Sequence, residues 1–428
     1  LHLLSWRGTG DQQCKANKNG TFQSASLVLP RQPRVVLSGA GVKGIELRHT
    51  RVAPWCRVRR GAGPAPEMTG DQRKMTVREA NLTPASSDDR EPEIIESGGA
   101  ARLHLTLATT DYDHVRDLVN GVVRPEGITL TAFVLPVEEV FYRFIKNREW
   151  DISEMSFGKF IAYGSQGHSP FVGIPVFPSR VFRHSAFYVR TDRGICSPKN
   201  LEGKRVVIPD WAQTAGIYAR GFLSEMANVD LRKIHWVQAG MNEAGREEKV
   251  EFKLPVGIQY EQRRDTSISA MLLSGEIDAA ISARVPDAFE KGGGRIARLY
   301  PDYRAEEVRY HAATGIYPIM HVIAMRRAVF DRYPWTAMNM FKAFDEAKRR
   351  SIERIRDLTA SRIPVPWAAA IAGEWSKNFG DDPFPYGLEE NRKTLDAFCR
   401  FAHAQGITAK QLAPDELFPK EMRASVRV

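Results

Sequence analysis

The sequence predicts an α/β protein with mostly parallel sheets flanked by helices and with a helical C-terminal region. Three observations carry this prediction. From Arg102 onward, short apolar segments alternate with segments of helical periodicity. Some of the short segments are apolar at nearly every position, as in FVGIPVF (171–177), which is typical of strands covered on both faces. After residue 325 the strand signals end and helical patterns follow.

The predicted elements follow one another without internal repeats. Strands are predicted at LHLTLAT (103–109), ITLTAFVL (128–135), DISEM (151–155), FVGIPVF (171–177), KRVVIPD (204–210), IHWVQA (234–239) and IDAAIS (277–282). Helices are predicted after Asp111, from Pro136 and from Ser156, and over 214–226, 266–275, 336–355 and 390–406. Thr110 and Asp111 are candidate N-caps of the first helix. Gly406 is the glycine expected at the end of the last one.

Length and composition indicate a globular protein. The chain has 428 residues, of which 43% are hydrophobic and 26% charged. No apolar run reaches the roughly 18–20 residues of a membrane-spanning helix, so we predict no membrane partner. The four cysteines include no CxxC pair, and the histidines and carboxylates show no metal-ligand spacing. We therefore predict no metal.

The positive charge is concentrated near the N-terminus. The chain carries a net charge of +10, yet residues 1–66 hold eleven Lys and Arg against Asp11 and Glu46 and so account for +9. A basic arm that binds nucleic acid or anionic lipid is one interpretation. The stretch lacks the aromatic residues and helical periodicity of such arms, so we predict no nucleic-acid partner. We interpret residues 1–101, which end in a polar, acidic linker, as a disordered or upstream leader.

One glycine motif in this stretch has the spacing of a dinucleotide fingerprint. VVLSGAGVKG (35–44) contains Gly39, Gly41 and Gly44 in the GxGxxG pattern. The motif functions where the third glycine opens a helix whose amides bind the pyrophosphate. Here a β-branched segment broken by Pro54 follows. We do not expect a nucleotide site.

Several long segments of the chain carry a resemblance to a known family. They are DYDHVRDL (111–118), EMSFGKF (154–160), IPVFPSRVFRHSAFYVR (174–190), GEIDAAISARVPDAF (275–289), YPIMHVIAMRRAVFDRYPW (317–335) and FPYGLEENR (384–392). In this order and spacing the chain resembles the bacterial 4,5-dihydroxyphthalate decarboxylases of phthalate degradation. The resemblance extends from about Arg102 to about Phe418 and does not cover residues 1–100.

The resemblance implies a two-lobed fold like that of the type II periplasmic binding proteins. Lobe one would comprise 102–188 plus 310–428, and lobe two 189–309. The chain would cross between the lobes at SAFYVR (185–190) and GIYPIMHVI (315–323). Ligands in such folds meet loops at the carboxyl ends of the strands, in the cleft between the lobes.

The implied reaction is a decarboxylation that needs no cofactor. Each carboxylate of 4,5-dihydroxyphthalate has a hydroxyl para to it, and ionising that hydroxyl pushes electrons toward the carbon that bears the carboxylate. A general acid protonates that carbon, and CO2 leaves. The site needs a proton donor, a base or acceptor for the phenol, a cation for the retained carboxylate and a dry wall near the departing one.

The segment PSRVFRHS offers the largest concentration of these groups. Arg180 and Arg183 are candidate carboxylate ligands, because a guanidinium binds a carboxylate through two hydrogen bonds. His184 is a candidate proton shuttle. The alternative interpretation is that one of these arginines forms a structural salt bridge.

Other candidates follow the predicted strands. Glu154, Asp113 and His321 are predicted catalytic groups, and Tyr112, Ser156, Ser282 and Arg284 are predicted to bind substrate. Three residues also have a purely structural interpretation: Ser156 as a helix cap, His114 in a helical turn, and His321 as a core histidine. His168 and the Lys291–Arg295 segment read as loops.

Two functions compete at this point. The first is a cytoplasmic decarboxylase that acts on a small aromatic dicarboxylate, with homo-oligomerisation left open. The second is a solute-binding protein that delivers a small aromatic or organic anion to an ABC-type transporter, since the fold is shared. Turnover of the dihydroxylated diacid would separate the two.

Overall fold

The computed structural model describes residues 90–97, 99–248 and 252–423. Most of the predicted leader, including the GxGxxG motif, therefore lies outside the described residues.

Strands and helices alternate through most of the described chain. The strands are β1 (Ile94–Ser97), β2 (Ala100–Thr109), β3 (Ile128–Val134), β4 (Ile152–Ser156), β5 (Phe171–Ile174), β6 (Phe187–Arg190), β7 (Arg205–Ile208), β8 (His235–Gly240), β9 (Gln259–Ser267), β10 (Ala279–Ile281), β11 (Ile296–Arg298) and β12 (His321–Arg326). The α-helices are α1 (Asp113–Val119), α2 (Val137–Asn147), α3 (Phe157–Ser165), α4 (Thr214–Glu225), α5 (Ile268–Ser274), α6 (Asp287–Lys291), α7 (Tyr303–Thr314), α8 (Arg327–Arg332), α9 (Trp335–Arg356), α10 (Ala368–Phe379) and α11 (Arg392–Ala404). Within the described ranges, no helix is long and apolar enough to cross a membrane.

The strands form two mixed sheets. In the first, β2 pairs with β3 and β4 in parallel, and β12 lies antiparallel between β4 and β5. In the second, the order is β11-β6-β10-β7-β8-β9, with parallel pairing from β10 through β9 and antiparallel pairing of β6 with β10 and β11. The predicted α/β class is confirmed.

The sheets are mixed because the strands that follow the two crossings run antiparallel to their neighbours. β6 enters the second sheet with Phe187 opposite Ile281, the last residue of β10. β12 enters the first sheet with His321 opposite Ser156, the last residue of β4. A strand that arrives from the other sheet enters at the carboxyl edge of the parallel strands and must run the opposite way.

The body of the protein begins earlier than the sequence predicts. Ile94–Ser97 pairs antiparallel with the start of β2, residues that the sequence analysis assigns to the leader. The backbone carbonyl of Arg90 also accepts a hydrogen bond from Arg326 at 2.6 Å. The acidic residues around Ile94 and Ile95 mask the strand pattern in the sequence. The strand forms because the unpaired backbone groups at the edge of β2 can hydrogen-bond to it.

Helix ends follow the predicted signals only in part. α1 begins at Asp113 with Tyr112 as its N-cap, and no side chain caps it, so the assignment of Thr110 or Asp111 as cap is wrong. Gly406 adopts φ +73° just beyond α11, as predicted.

The C-terminal helix packs against the first long helix of the second sheet. A Cβ at Gly221 of α4 would lie 2.4 Å from ring atoms of Phe401 in α11, so glycine permits this close approach. The packing fixes α4, whose first residue, Thr214, reaches the end of β4. The predicted lobe boundaries stay predictions, although β6 begins at Phe187, before the predicted start of lobe two.

Candidate active site

Three strands of the first sheet bring polar side chains to one edge. β2 ends at Thr109, β4 ends at Ser156, and β12 begins at His321. Because β2 and β4 are parallel and β12 is antiparallel to β4, these three ends meet at the same edge. Tyr112, the residue before α1, follows β2 at this edge.

Glu154 lies fully buried at the centre of this edge, where hydrogen bonds satisfy both of its oxygens. Oε1 accepts from the Tyr112 hydroxyl and from His321 Nδ1, each at 2.6 Å. Oε2 accepts from the Thr110 amide at 2.9 Å and from the Thr109 hydroxyl at 3.4 Å. Burial opposes ionisation, but these bonds and the charge of His321 lower the pKa of Glu154 below its ordinary value. Glu154 is therefore an anion at neutral pH.

His321 lies beside this carboxylate, and its imidazole is partly exposed. An ionised carboxylate only accepts, so Nδ1 carries the hydrogen and Nε2 is the nitrogen that can face a ligand. The side chain remains 19% exposed. The Phe141 ring of α2 meets the imidazole edge-on at 4.8 Å between centroids and forms an apolar wall beside it. A paired, partly accessible imidazole of this kind can hold and release a proton.

Tyr112 completes the cluster. Its hydroxyl donates to Glu154 and also lies 3.3 Å from His321 Nδ1. Burial, followed by the charge and the hydrogen bond of Glu154, raises the pKa of Tyr112 well above its ordinary value. The phenol stays protonated and orients the carboxylate.

Ser156 does not cap α3 with its side chain. Its hydroxyl instead lies 3.0 Å from Thr214 Oγ1, which also accepts from the Gly158 amide at 2.9 Å. Thr214 begins α4, so this contact joins the first sheet to a helix of the second at the edge of the site.

Ser282 and Arg284 follow β10 at the corresponding edge of the second sheet. The Ser282 hydroxyl donates to the Arg284 carbonyl at 2.8 Å and accepts from the Arg284 amide at 3.2 Å, so it braces a tight turn. The Arg284 side chain reaches Glu138 of α2, with Nη2 2.9 Å from Oε1. Arg284 therefore links the end of β10 in the second sheet to α2, which packs on the first.

Arg180 is buried in the crossing segment and bound to the C-terminal region. It donates to the carbonyls of Tyr317 at 3.1 Å and Pro385 at 2.7 Å and to the Asn391 side chain. Its guanidinium also lies over the rings of Tyr317 and Phe384. These contacts hold the FPYG segment to the crossing and occupy both terminal nitrogens of the predicted carboxylate ligand.

His184 has neighbours different from those of His321. It is 5% exposed and packs against Phe222, Tyr300 and Tyr310 at centroid distances of 4.4, 5.5 and 5.2 Å. Its Nδ1 has no hydrogen-bond partner among the described residues and lies 4.0 Å from Glu307 Oε1. Burial lowers the pKa of His184 to about 4, so the ring is neutral at pH 7.

Glu307 of α7 and Arg183 lie beside His184. Burial raises the pKa of Glu307 to about 7, although backbone hydrogen bonds from Ser185 and His184 oppose the shift. Arg183 donates through Nε to Met320 Sδ at 3.3 Å, and burial lowers its pKa to about 10, which leaves it charged. Arg183 lines a small depression together with His184, Tyr218 and Phe222.

Asp113 is not part of the Glu154 cluster. Its carboxylate accepts from Arg116 at 2.8 Å and from Ser351 of α9 at 2.6 Å. The residue lies in the first turn of α1, whose packed face meets α9, so its side chain points toward that helix. His114, in the same turn, bonds the Pro178 carbonyl at 2.9 Å, and burial lowers its pKa to about 4.

The structure therefore unites only some of the predicted site residues. It brings Glu154, His321 and Tyr112 together and places Ser156 beside them, with Arg284 across the cleft. The sequence analysis missed Glu138, Phe141 and Thr214. The first two lie three residues apart in a predicted helix, a spacing that puts both on one face and was a usable signal. Across the described ranges, no group of three or more His, Cys, Asp or Glu residues could hold a metal ion.

Two curated relatives match most of their own length to this chain. A 4,5-dihydroxyphthalate decarboxylase of Comamonas testosteroni is 34% identical over 319 residues, which cover 74% of this chain and 97% of the relative. A 4,5-dihydroxyphthalate decarboxylase of Pseudomonas putida is 38% identical over 214 residues, which cover 50% of this chain and 81% of the relative. No protein-family profile matches the chain.

Among solved structures, the chain is similar to binding proteins and to an enzyme. The periplasmic aliphatic sulphonate binding protein of Escherichia coli aligns with a TM-score of 0.42 and 13% identity, over 74% of this chain and 98% of that one. The desulfurization enzyme DSZB aligns with a TM-score of 0.42 and 14% identity, over 74% of this chain and 97% of that one.

Proposed function

The chain belongs to the 4,5-dihydroxyphthalate decarboxylase family, and from that premise we propose that it converts 4,5-dihydroxyphthalate, or a closely related hydroxylated aromatic acid, to 3,4-dihydroxybenzoate and CO2. The observation that carries the proposal is the 2.6 Å contact of His321 Nδ1 with the buried, ionised Glu154. This pair supplies the proton donor that the reaction requires, at the edge where a ligand of this fold is expected.

His321 is the general acid in this mechanism. After the hydroxyl para to the departing carboxylate has lost its proton to solvent, protonated Nε2 gives a proton to the ring carbon that bears this carboxylate. The bond to the carboxylate then breaks, its electron pair restores the aromatic ring and the charge on the para oxygen, and CO2 leaves. The transferred proton stays on the ring carbon, and solvent supplies new protons to His321 and to the para oxygen, so that one proton is consumed overall. Glu154 stabilises the imidazolium, and Tyr112 holds Glu154 in place.

The apolar side of the cleft favours release of CO2. Phe141 covers one edge of the imidazole. An apolar wall stabilises neutral CO2 relative to the carboxylate from which it forms, because it solvates charge poorly. We therefore place the departing carboxylate against the Phe141 ring.

The retained carboxylate needs a cation. We assign this role to Arg284, because its side chain is exposed at the cleft and its partner, Glu138, is also exposed. Arg183 is a second candidate, since it stays charged and is only partly buried. We assign Arg180 to a structural role, because backbone carbonyls and Asn391 already bind its terminal nitrogens.

The experiment that tests the proposal is turnover of 4,5-dihydroxyphthalate by the purified protein, followed as CO2 release and 3,4-dihydroxybenzoate formation. Phthalate is the matched control ligand, because it has both carboxylates but no hydroxyl to drive the reaction. We expect phthalate to bind without reacting. Binding of both compounds without turnover of either would overturn the proposal and favour a solute-binding protein. A cytoplasmic location and homo-oligomerisation stay predictions.

A further inference from the structure

The ion pair across the cleft involves a residue with no assigned role. Glu138 lies in the first turn of α2, on the first sheet, and its Oε1 is 2.9 Å from Arg284 Nη2 on the second sheet. The side chains of Glu138 and Arg284 are 47% and 67% exposed. An ion pair this exposed contributes little free energy. A competing carboxylate can therefore replace it at little cost.

The position of Glu138 links this pair to the proposed general acid. Phe141 lies three residues later, on the same face of α2, and its ring is 4.8 Å from the His321 ring. The pair thus lies about one helical turn from the proposed site of proton transfer. When one carboxylate of a small aromatic diacid lies near His321, its second carboxylate extends along this face of α2, toward the ion pair.

Another arginine that interacts with Glu138, Arg246, already has its own carboxylate. Arg246 donates to both oxygens of Asp210, at 2.9 and 2.7 Å. The Asp210 side chain is 5% exposed, so this pair is far less open to exchange. The turn at Ser282 also fixes the backbone of Arg284. Arg284 is therefore the cation at this edge whose partner is the easier one to replace.

We propose that Glu138 is a built-in competitor for the substrate: it holds Arg284 across the unliganded cleft and gives it up to the carboxylate that the substrate retains. The inference rests on the proposed function for the identity of the substrate. Its consequence for specificity is that only a ligand whose carboxylate reaches Arg284 displaces Glu138. Ligands without that carboxylate leave the pair intact.

Binding of phthalate, measured by calorimetry at low ionic strength, tests the competition without depending on turnover. Glu138→Gln removes the competitor, so we expect phthalate affinity to rise about two- to fivefold, the range for an exposed ion pair. Arg284→Gln should weaken affinity about tenfold or more, because it removes a charge-assisted hydrogen bond. Glu139→Gln is the matched control, since Glu139 pairs with Arg143 of the same helix. Its affinity should match that of the wild type.

The double variant gives the decisive comparison. Without Arg284 the proposed competition is gone, so the gain from Glu138→Gln should be clearly smaller in the Arg284→Gln background, where only the longer-range field of Glu138, which also reaches Arg246, is removed. An equal gain in both backgrounds, or a loss of affinity in Glu138→Gln alone, would overturn the inference. With the reactive substrate, Glu138→Gln should lower KM by the same factor and leave kcat within about twofold. If the wild type shows no turnover while the phthalate series behaves as expected, the proposed reaction fails and the competition stands.

Discussion

Two histidines lie near the crossings between the two sheets, and they differ in the groups that surround the imidazole ring. His321 places Nδ1 2.6 Å from a carboxylate that hydrogen bonds keep ionised. His184 packs among three aromatic rings, and its Nδ1 lies 4.0 Å from a carboxyl whose own pKa is raised to about 7. The first environment gives the imidazole an anionic hydrogen-bond partner, whereas burial in the second disfavours a charge on the ring.

This difference shows why burial alone does not make a proton donor. Desolvation penalises the charged form, so it lowers the pKa of His184 to about 4. His321 instead contacts a buried carboxylate that stays charged. The sequence analysis gave both histidines a catalytic role. We now assign proton transfer to His321 and a packing role to His184.

The largest expected effect comes from removing the proposed proton donor. We expect His321→Gln to lower kcat for 4,5-dihydroxyphthalate about 10²- to 10⁴-fold, the usual contribution of a general acid. His184→Gln, the matched variant, should leave kcat within about threefold, since neutral His184 has no proton to give near pH 7. Steady-state kinetics of both variants, with phthalate binding as the control for folding, measures the difference. Equal losses of kcat in the two variants would contradict the assignment of different roles to His321 and His184.

The next effect concerns Glu154, the ionised carboxylate that distinguishes the surroundings of His321 from those of His184. Glu154→Gln keeps the shape but removes the charge that stabilises the imidazolium. We expect kcat to fall about 10²-fold, since an ionised hydrogen-bond partner in a buried site is worth roughly 1.5–3 kcal/mol. Phthalate affinity should change far less. A kcat close to that of the wild type would show that Glu154 only braces the fold.

Tyr112→Phe tests the hydroxyl that orients Glu154. The variant removes one neutral donor to an otherwise well-bonded carboxylate, so we expect kcat to fall about three- to tenfold. The profile of kcat against pH should shift with it, because the carboxylate loses a bond that favours its ionised form. A fall in kcat with an unchanged profile would point to a loss of packing.

The smallest effect tests the His184 region through stability. The pKa of Glu307 is raised from its ordinary value of 4.5 to about 7 in the folded protein. A raised pKa contributes stability that is present below pH 4.5 and is lost as the pH rises through 7. Glu307→Gln cannot titrate, so its melting temperature should gain on that of the wild type between pH 5 and pH 8, by about 2–4 °C for each kcal/mol of burial cost removed. A constant difference across this range would show that Glu307 is ionised at both limits.

The sequence could predict the α/β class and part of the site because both depend on local patterns. Glu154 lies at the end of a predicted strand and His321 in a recognisable crossing segment. Their contact could not be predicted, because it depends on the antiparallel register of two strands separated by more than 160 residues. Arg180 shows the same limit, since its partners Pro385 and Asn391 are more than 200 residues away. The direction of the Asp113 carboxylate could not be predicted either, because the packing of α1 on α9 decides it, and its catalytic role stays a prediction.

Chemical rescue tests the central claim most directly, because it asks which ring supplies the proton. His321→Gly leaves a space at the cleft that free imidazole can enter, so imidazole should restore part of the lost kcat in a saturable way, with a pH dependence that follows the added base. His184→Gly should keep most of its kcat and gain nothing from imidazole. Recovery in His184→Gly, or full activity of His321→Gly without imidazole, would contradict the assignment of His321 as the general acid.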